Sequence, residues 1–424
     1  MVVPDTKIRS FPQARRLLFS VSAFAAGAAA IVVAGSALGQ DAGPPEAPDS
    51  VAQLTTQLAA GGPALTYEEG RGGYLAAVLQ RLDVPEDSQV LVFSKTSLQR
   101  NYIGPKTPRA IYFNDRISVG FVPDAPLIEI SALGQDGETR FYTIPAAPSD
   151  APSPRQERGC GSCHATGGSP APGLVVSSVV ALSSGAVART MTNASDARFP
   201  FADRWGGWYV TGRHGALRHS GNVAVKDELD PRLDPQVGLN VTELSTFFDT
   251  GRYRRPTSDI VALMTLEHQA GFTALANKLR GAQSLATNPA DADKALGQLV
   301  DYMVGLDEPS LNAPVEGLSG FSDSFAQLGP HDAKGRSLRE FDLHSRLFRY
   351  PLSYMIYSPA FDALGPQIKL RLYRRLAEVL SGADNDPKYA RFKGAEGRAA
   401  LEILAATKPG LPDFWPRPTE VAAR

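Results

Sequence analysis

Arg158-Gly159-Cys160-Gly161-Ser162-Cys163-His164 divides the chain into a strand-rich part before it and a helix-rich part after it. It holds the only two cysteines among 424 residues, with a histidine directly after the second. The C-x-x-C-H spacing is that of covalent c-type haem attachment. Each thiol adds to one vinyl group, and the next residue, His164, offers an imidazole nitrogen to the iron. Other readings of two close cysteines fit less well. A zinc site needs further soft ligands, and there is no third cysteine. A redox dithiol belongs between a strand and a helix, whereas glycines, serine and proline surround this motif. A disulfide here closes a very small ring and constrains little chain. With no second such motif, the expectation is one covalent haem c, held by Cys160 and Cys163, with His164 as axial ligand to the iron.

Upstream of the motif the expected elements are short. Val90–Phe93, Ala110–Phe113, Ile117–Val122, Leu127–Ile130 and Arg140–Thr143 are apolar or alternating runs. Asn114-Asp115, Pro123-Asp124 and Gln135-Asp136-Gly137 separate them as hairpin turns would, which predicts an antiparallel β-rich domain over 61–150. A short helix over Tyr74–Leu82 precedes it, and proline-rich 146–154 leads to the motif. Further upstream, Lys7, Arg9, Arg15 and Arg16 come before an uncharged Ala/Val/Gly stretch from Leu17 to Leu38. Small residues at 37–39 complete a signal peptide over 1–39, with an uncleaved membrane anchor as the alternative. Both place the bulk of the chain outside the cytoplasm, periplasmic if cleaved and membrane-anchored if not. Residues 40–60 are expected to be a linker.

Downstream, 155–240 is expected to be the haem-binding segment. Leu174–Leu182 reads as a strand, Ser183-Ser184-Gly185 as a turn and Ala186–Met191 as its return. The aromatic- and glycine-dense run from Phe199 to Gly215 suits a wall closing on a flat ligand, because glycine lets backbones approach and rings supply apolar area. Residues 241–415 are expected to be a helical domain. Pro256–Asp259 opens a helix with Ile260, Met264, His268 and Phe272 on one face. Further helices are expected from Pro289 to a stop at Gly305, over Arg346–Ala360, from Pro366 to Gly382, and over Glu396–Ala406, with an extended tail from Pro409. The fold class is therefore α+β.

The residue opposite His164 decides the chemistry: methionine or histidine closes the iron for electron transfer, and an open position permits small-molecule chemistry. The candidates, in order, are His214, His268 and Met191. His219 gives His214 weight as its neighbour in the aromatic segment. A buried core histidine is the plainer account of His268, and a packing role that of Met191. Arg204, Arg213 and Arg218 are candidate partners of haem propionates, with surface ion pairs as the alternative.

The blocks Arg158–His164, Arg204-Trp-Gly-Gly-Trp-Tyr-Val-Thr-Gly212 with His214, Ser258–His268, Arg346–Pro351 and Ser358–Asp362 resemble a family of exported bacterial single-haem c-type cytochromes. The likeness runs from about Val90 to Trp415. It implies haem binding, electron transfer to a redox partner protein and residence outside the cytoplasm, and it carries Cys160, Cys163 and His164 as functional residues. With Lys+Arg 43 against Asp+Glu 44, the net charge of -1 gives no electrostatic footprint for nucleic acid. An electron-transfer cytochrome is the first expectation. A haem enzyme (a peroxidase or small-molecule oxidoreductase) with His214 or His268 as distal acid/base is the second, and a haem-based sensor the third.

Overall fold

The computed structural model describes residues 49–159, 174–192, 194–226, 233–234, 236–284 and 289–416. The architecture is α+β. A seven-stranded antiparallel sheet has the order β6-β5-β4-β3-β2-β1-β9, and a three-stranded sheet has the order β10-β7-β8. The strands are β1 Val90–Val92, β2 Arg109–Phe113, β3 Ile117–Phe121, β4 Leu127–Leu133, β5 Thr139–Pro145, β6 Arg155–Gln156, β7 Ser178–Leu182, β8 Val187–Thr192, β9 Trp208–Tyr209 and β10 Ala224–Val225. The meander β2–β5 follows the expected turns. At the first of them the Asn114 carboxamide accepts from the backbone N–H of Arg116 and Ile117, a side-chain substitute for a backbone turn bond.

β1 explains why one short run is apolar throughout. Side chains alternate across a sheet, so Val90 and Val92 enter one core while Leu91 enters the other. Its edge partner β9 alternates in step: Trp208 opposite Val92 joins the first core, and Tyr209 opposite Leu91 the second.

The helices are α1 Ser50–Ala59, α2 Leu75–Arg81, α3 Ile260–Ser284, α4 Pro289–Met303, α5 Phe321–Gln327, α6 Pro359–Asp362, α7 Pro366–Ser381 and α8 Ala395–Thr407. α1 lies within the expected linker. Asp49 caps it, accepting from Val51 and Ala52 N–H at 2.9 Å each, and Val51 and Leu54 are buried in the second core. α3 starts where the sequence places it. Asp259 Oδ1 caps its first turn while Oδ2 accepts from Leu318 and Ser319 N–H, so one buried carboxylate also fixes a distant loop. α7 opens at Pro366 and stops at left-handed Gly382, as expected.

Two expectations are corrected. Arg346–Ala360 is not one helix. Ser358, before Pro359, is extended, Ser353 N–H donates to the Met303 carbonyl, and only a 3-10 turn at Tyr354–Tyr357 and then α6 form. The strand expected from Leu174 begins only at Ser178. Before that, Val176 N–H donates to Ser195 Oγ and Ser177 carbonyl accepts from Trp208 Nε1, so the ladder groups are taken by side chains. Among the described residues no helix is long and apolar enough to cross a membrane; the stretch 17–38 lies outside them.

Candidate functional site

Cys160, Cys163 and His164 lie outside the described residues. The chain on either side of them is fixed by pairing. β6 lies on one edge of the large sheet, and the return limb 174–178 is tied to the opposite, β9 end through Trp208 and Gly206.

The aromatic segment at that end forms a closed polar cluster within the core. Gly206 donates its N–H to Ser178 Oγ, and Val179 N–H donates to Gly206. A Cβ at Gly206 would strike the Val179 carbonyl, so the close approach of β7 requires glycine. Trp205 adopts φ 67, a left-handed conformation that is strained for a bulky residue, and is nonetheless buried. Its Nε1 donates to Glu267 Oε2 at 3.1 Å, and the Arg204 guanidinium forks onto the same oxygen. Arg204 and Glu267 are each 3% exposed, and the guanidinium lies over the Phe201 and Trp205 rings at 4.4 and 4.8 Å. Burial pushes the Glu267 carboxyl above its ordinary value, and Arg204 opposes that shift.

Arg204 is thus committed to Glu267 rather than free for a propionate. Arg213 pairs with Glu316 at the surface, and Arg218 is exposed without an ion-pair partner among the described residues.

His214 and His219 come together in the same cluster, with Nε2 atoms 3.3 Å apart and both rings buried. The donors around them fix the tautomers. Gly221 N–H donates to His219 Nδ1 at 3.0 Å, so the His219 proton is on Nε2. Asn240 N–H donates to His214 Nε2 at 2.9 Å, so the His214 proton is on Nδ1. Asn240 also accepts from His214 N–H and clamps the residue from both ends. His214 Nδ1 has no hydrogen-bond partner among the described residues. Burial holds both imidazoles neutral: His214 is pushed down, and His219 to about 3, with His214 adding to the effect.

His268 lies elsewhere, on α3, at a cleft of about 180 Å3 lined by Glu308, Arg346, Ser353 and Arg391 among others. Its Nε2 is 2.7 Å from Ser353 Oγ, and its Nδ1 has no hydrogen-bond partner among the described residues. It is buried, as its apolar stripe suggested, yet it keeps this polar setting. Met191 is half-buried on β8, with Ser178 Oγ 3.8 Å from its sulfur. The structure therefore joins His214 to His219 and leaves His268 in a separate site. Sequence reasoning missed Asn240, Glu267, Glu308 and Ser353. Only the paired histidines at 214 and 219 carried a local signal.

Among the described residues no group of three or more His, Cys, Asp or Glu side chains is arranged to hold a metal ion. No protein-family model, no curated protein and no solved structure matches this chain.

Proposed function

We propose that this chain is an exported single-haem c-type cytochrome that carries electrons to a redox partner protein in the periplasm, or at the membrane if residues 17–38 are retained as an anchor. The reading rests on Cys160-x-x-Cys163-His164, the only cysteines of the chain in the order that thioether attachment and axial ligation require. Bound haem supplies a one-electron couple whose potential depends on its axial ligands and surroundings.

The residues around the β9 edge suit that group. Trp205 and Trp208 exclude water, and the Arg204–Glu267 pair fixes the wall without leaving a net charge. His214 remains the first candidate for the second axial position because its Nδ1 has no hydrogen-bond partner among the described residues, although ligation through that nitrogen requires its proton to leave. His268 follows, with Nε2 committed to Ser353, and then Met191. The cleft at His268 supports the rival enzymatic reading, in which the distal side is open to small molecules.

The test is maturation of the full chain in a host that attaches c-type haem. The mature polypeptide is expected to gain the mass of one haem and to lose it in a Cys160→Ala, Cys163→Ala variant. Two free thiols in such material overturn the reading. A reduced spectrum that is six-coordinate, low-spin and indifferent to carbon monoxide supports the carrier; ready ligand binding favours the enzyme.

A further inference from the structure

The His268 cleft holds three groups in an order the haem reading does not use. The imidazole is 2% exposed and oriented by its neighbours: Tyr302 stacks on it at 5.1 Å, and Phe348 meets it edge-on at 5.1 Å. On one side Nε2 meets Ser353 Oγ at 2.7 Å. Met355 N–H donates to that oxygen at 3.2 Å; the hydroxyl can still serve either tautomer, and the one with its proton on Nδ1 lets Ser353 donate to Nε2. On the other side Nδ1 faces Glu308 Oε1 at 3.6 Å without a closed hydrogen bond. Hydroxyl, imidazole and carboxylate thus stand in line along an open cleft. A histidine kept only for packing has no need of a half-buried carboxylate beyond its second nitrogen, and an unpaired buried donor costs stability.

We propose that Ser353, His268 and Glu308 are nucleophile, general base and orienting carboxylate of an acyl-transfer site for a small ester bearing an anionic group. Arg346 and Arg391 line the same cleft; Arg346 is paired with Glu396 at 2.6 Å and stands 3.8 Å from Asp342, whereas Arg391 bonds the Gly305 carbonyl and has no carboxylate partner among the described residues. Arg391 supplies the positive charge that recognises such a group. The volume, about 180 Å3, is below the roughly 300–1,000 Å3 of drug-sized pockets and limits the acyl portion to a few heavy atoms. In the first step the Ser353 oxygen bonds the acyl carbon as its proton passes to His268 Nε2. The ester C–O bond then breaks, and the departing alkoxide takes that proton as the alcohol. Water attacks the acyl-serine next, giving one proton to Nε2. Breaking of the acyl bond releases the carboxylic acid, and the proton returns to Ser353 Oγ. Glu308 steadies the imidazolium formed in each half.

The proposal is independent of haem attachment, and its test separates the two. The full matured chain is treated with a fluorophosphonate probe, and the adduct is mapped by mass spectrometry. An adduct on Ser353 is expected, absent in Ser353→Ala and formed on the order of 10²-fold more slowly in His268→Gln. The wild-type result needs no variant to fold, and far-UV circular dichroism checks those that are used. No adduct, or one on another serine, overturns the proposal. So does a visible spectrum of the haem-loaded protein that changes on His268→Gln, which would make His268 an iron ligand.

Discussion

His219 carries the largest resolved shift of any histidine here, and its sign can be tested. Its folded value of about 3 lies below the 6.5 of an exposed histidine because burial, and then neighbouring His214, disfavour the charged ring. The unfolded chain therefore binds the extra proton between these values, so stability is full above pH 6.5 and falls as pH drops toward 3. From pH 7 to pH 5 this one group removes about 2 kcal/mol. Unfolding free energies from urea titrations at the two pH values are expected to differ by that amount more in the wild type than in His219→Gln; an equal difference rejects the assignment. A second residue pair behaves differently. Glu267→Gln leaves the Arg204 charge buried without its counter-ion and is expected to cost about 3–5 kcal/mol. Replacing both, Arg204→Met with Glu267→Leu, is expected to restore much of that loss. Denaturant titration of the two variants distinguishes these outcomes, and a double variant as weak as the single one would mean the pair is needed for packing.

Elements fixed by local chemistry were legible, and those fixed by distant contacts were not. The strands β2–β5 announce themselves through alternation and turn residues, and α7 through Pro366 and Gly382 at its ends. β9 is two residues long and exists only because β1 offers an edge, so no periodicity reveals it. α1 is hidden by the proline-rich chain before it, although Asp49 was there as a cap. The run from 346 to 360 misleads because its buried aromatics serve a loop rather than a helical stripe. At the sites, His214 and His219 could be read as a pair. Ser353 meets His268 from 85 residues away, a distance no local pattern reports. The doublet Gly206-Gly207 was legible as a place of close approach, and it gives a prediction for the element it supports. Gly206→Ala drives a methyl into the Val179 carbonyl and must push β7 away from the end of β9. The expected loss is about 1–3 kcal/mol, with altered tryptophan emission because Trp208 bonds the same limb. An unchanged melting temperature would show that β7 shifts freely.

For the molecule as a whole, the question is whether the sheet and the helices unfold together. The described residues belong to one compact unit, yet their buried apolar residues fall into two main clusters. One contains most of the helical part, and the other contains α1, α2 and one face of the sheet. A chain this long has room for two independent transitions. What argues against them is β1, whose alternate side chains enter both clusters, and the Ser258 hydroxyl at the start of α3. That hydroxyl accepts from Leu91 N–H at 2.8 Å and donates to the Tyr209 carbonyl at 2.5 Å, so the start of the helical part is bonded to the neighbouring strands β1 and β9. Neither cluster can lose its sheet face while the other keeps β1 in register. Tryptophan emission, which reports the first cluster through Trp205, Trp208 and Trp415, is therefore expected to change at the same urea concentration as far-UV circular dichroism. Leu91→Ala, at a fully buried position of the second cluster, is expected to cost about 2–5 kcal/mol and to lower both midpoints together. A variant whose circular dichroism midpoint falls while its tryptophan midpoint stays would show two domains joined only by pairing at β1.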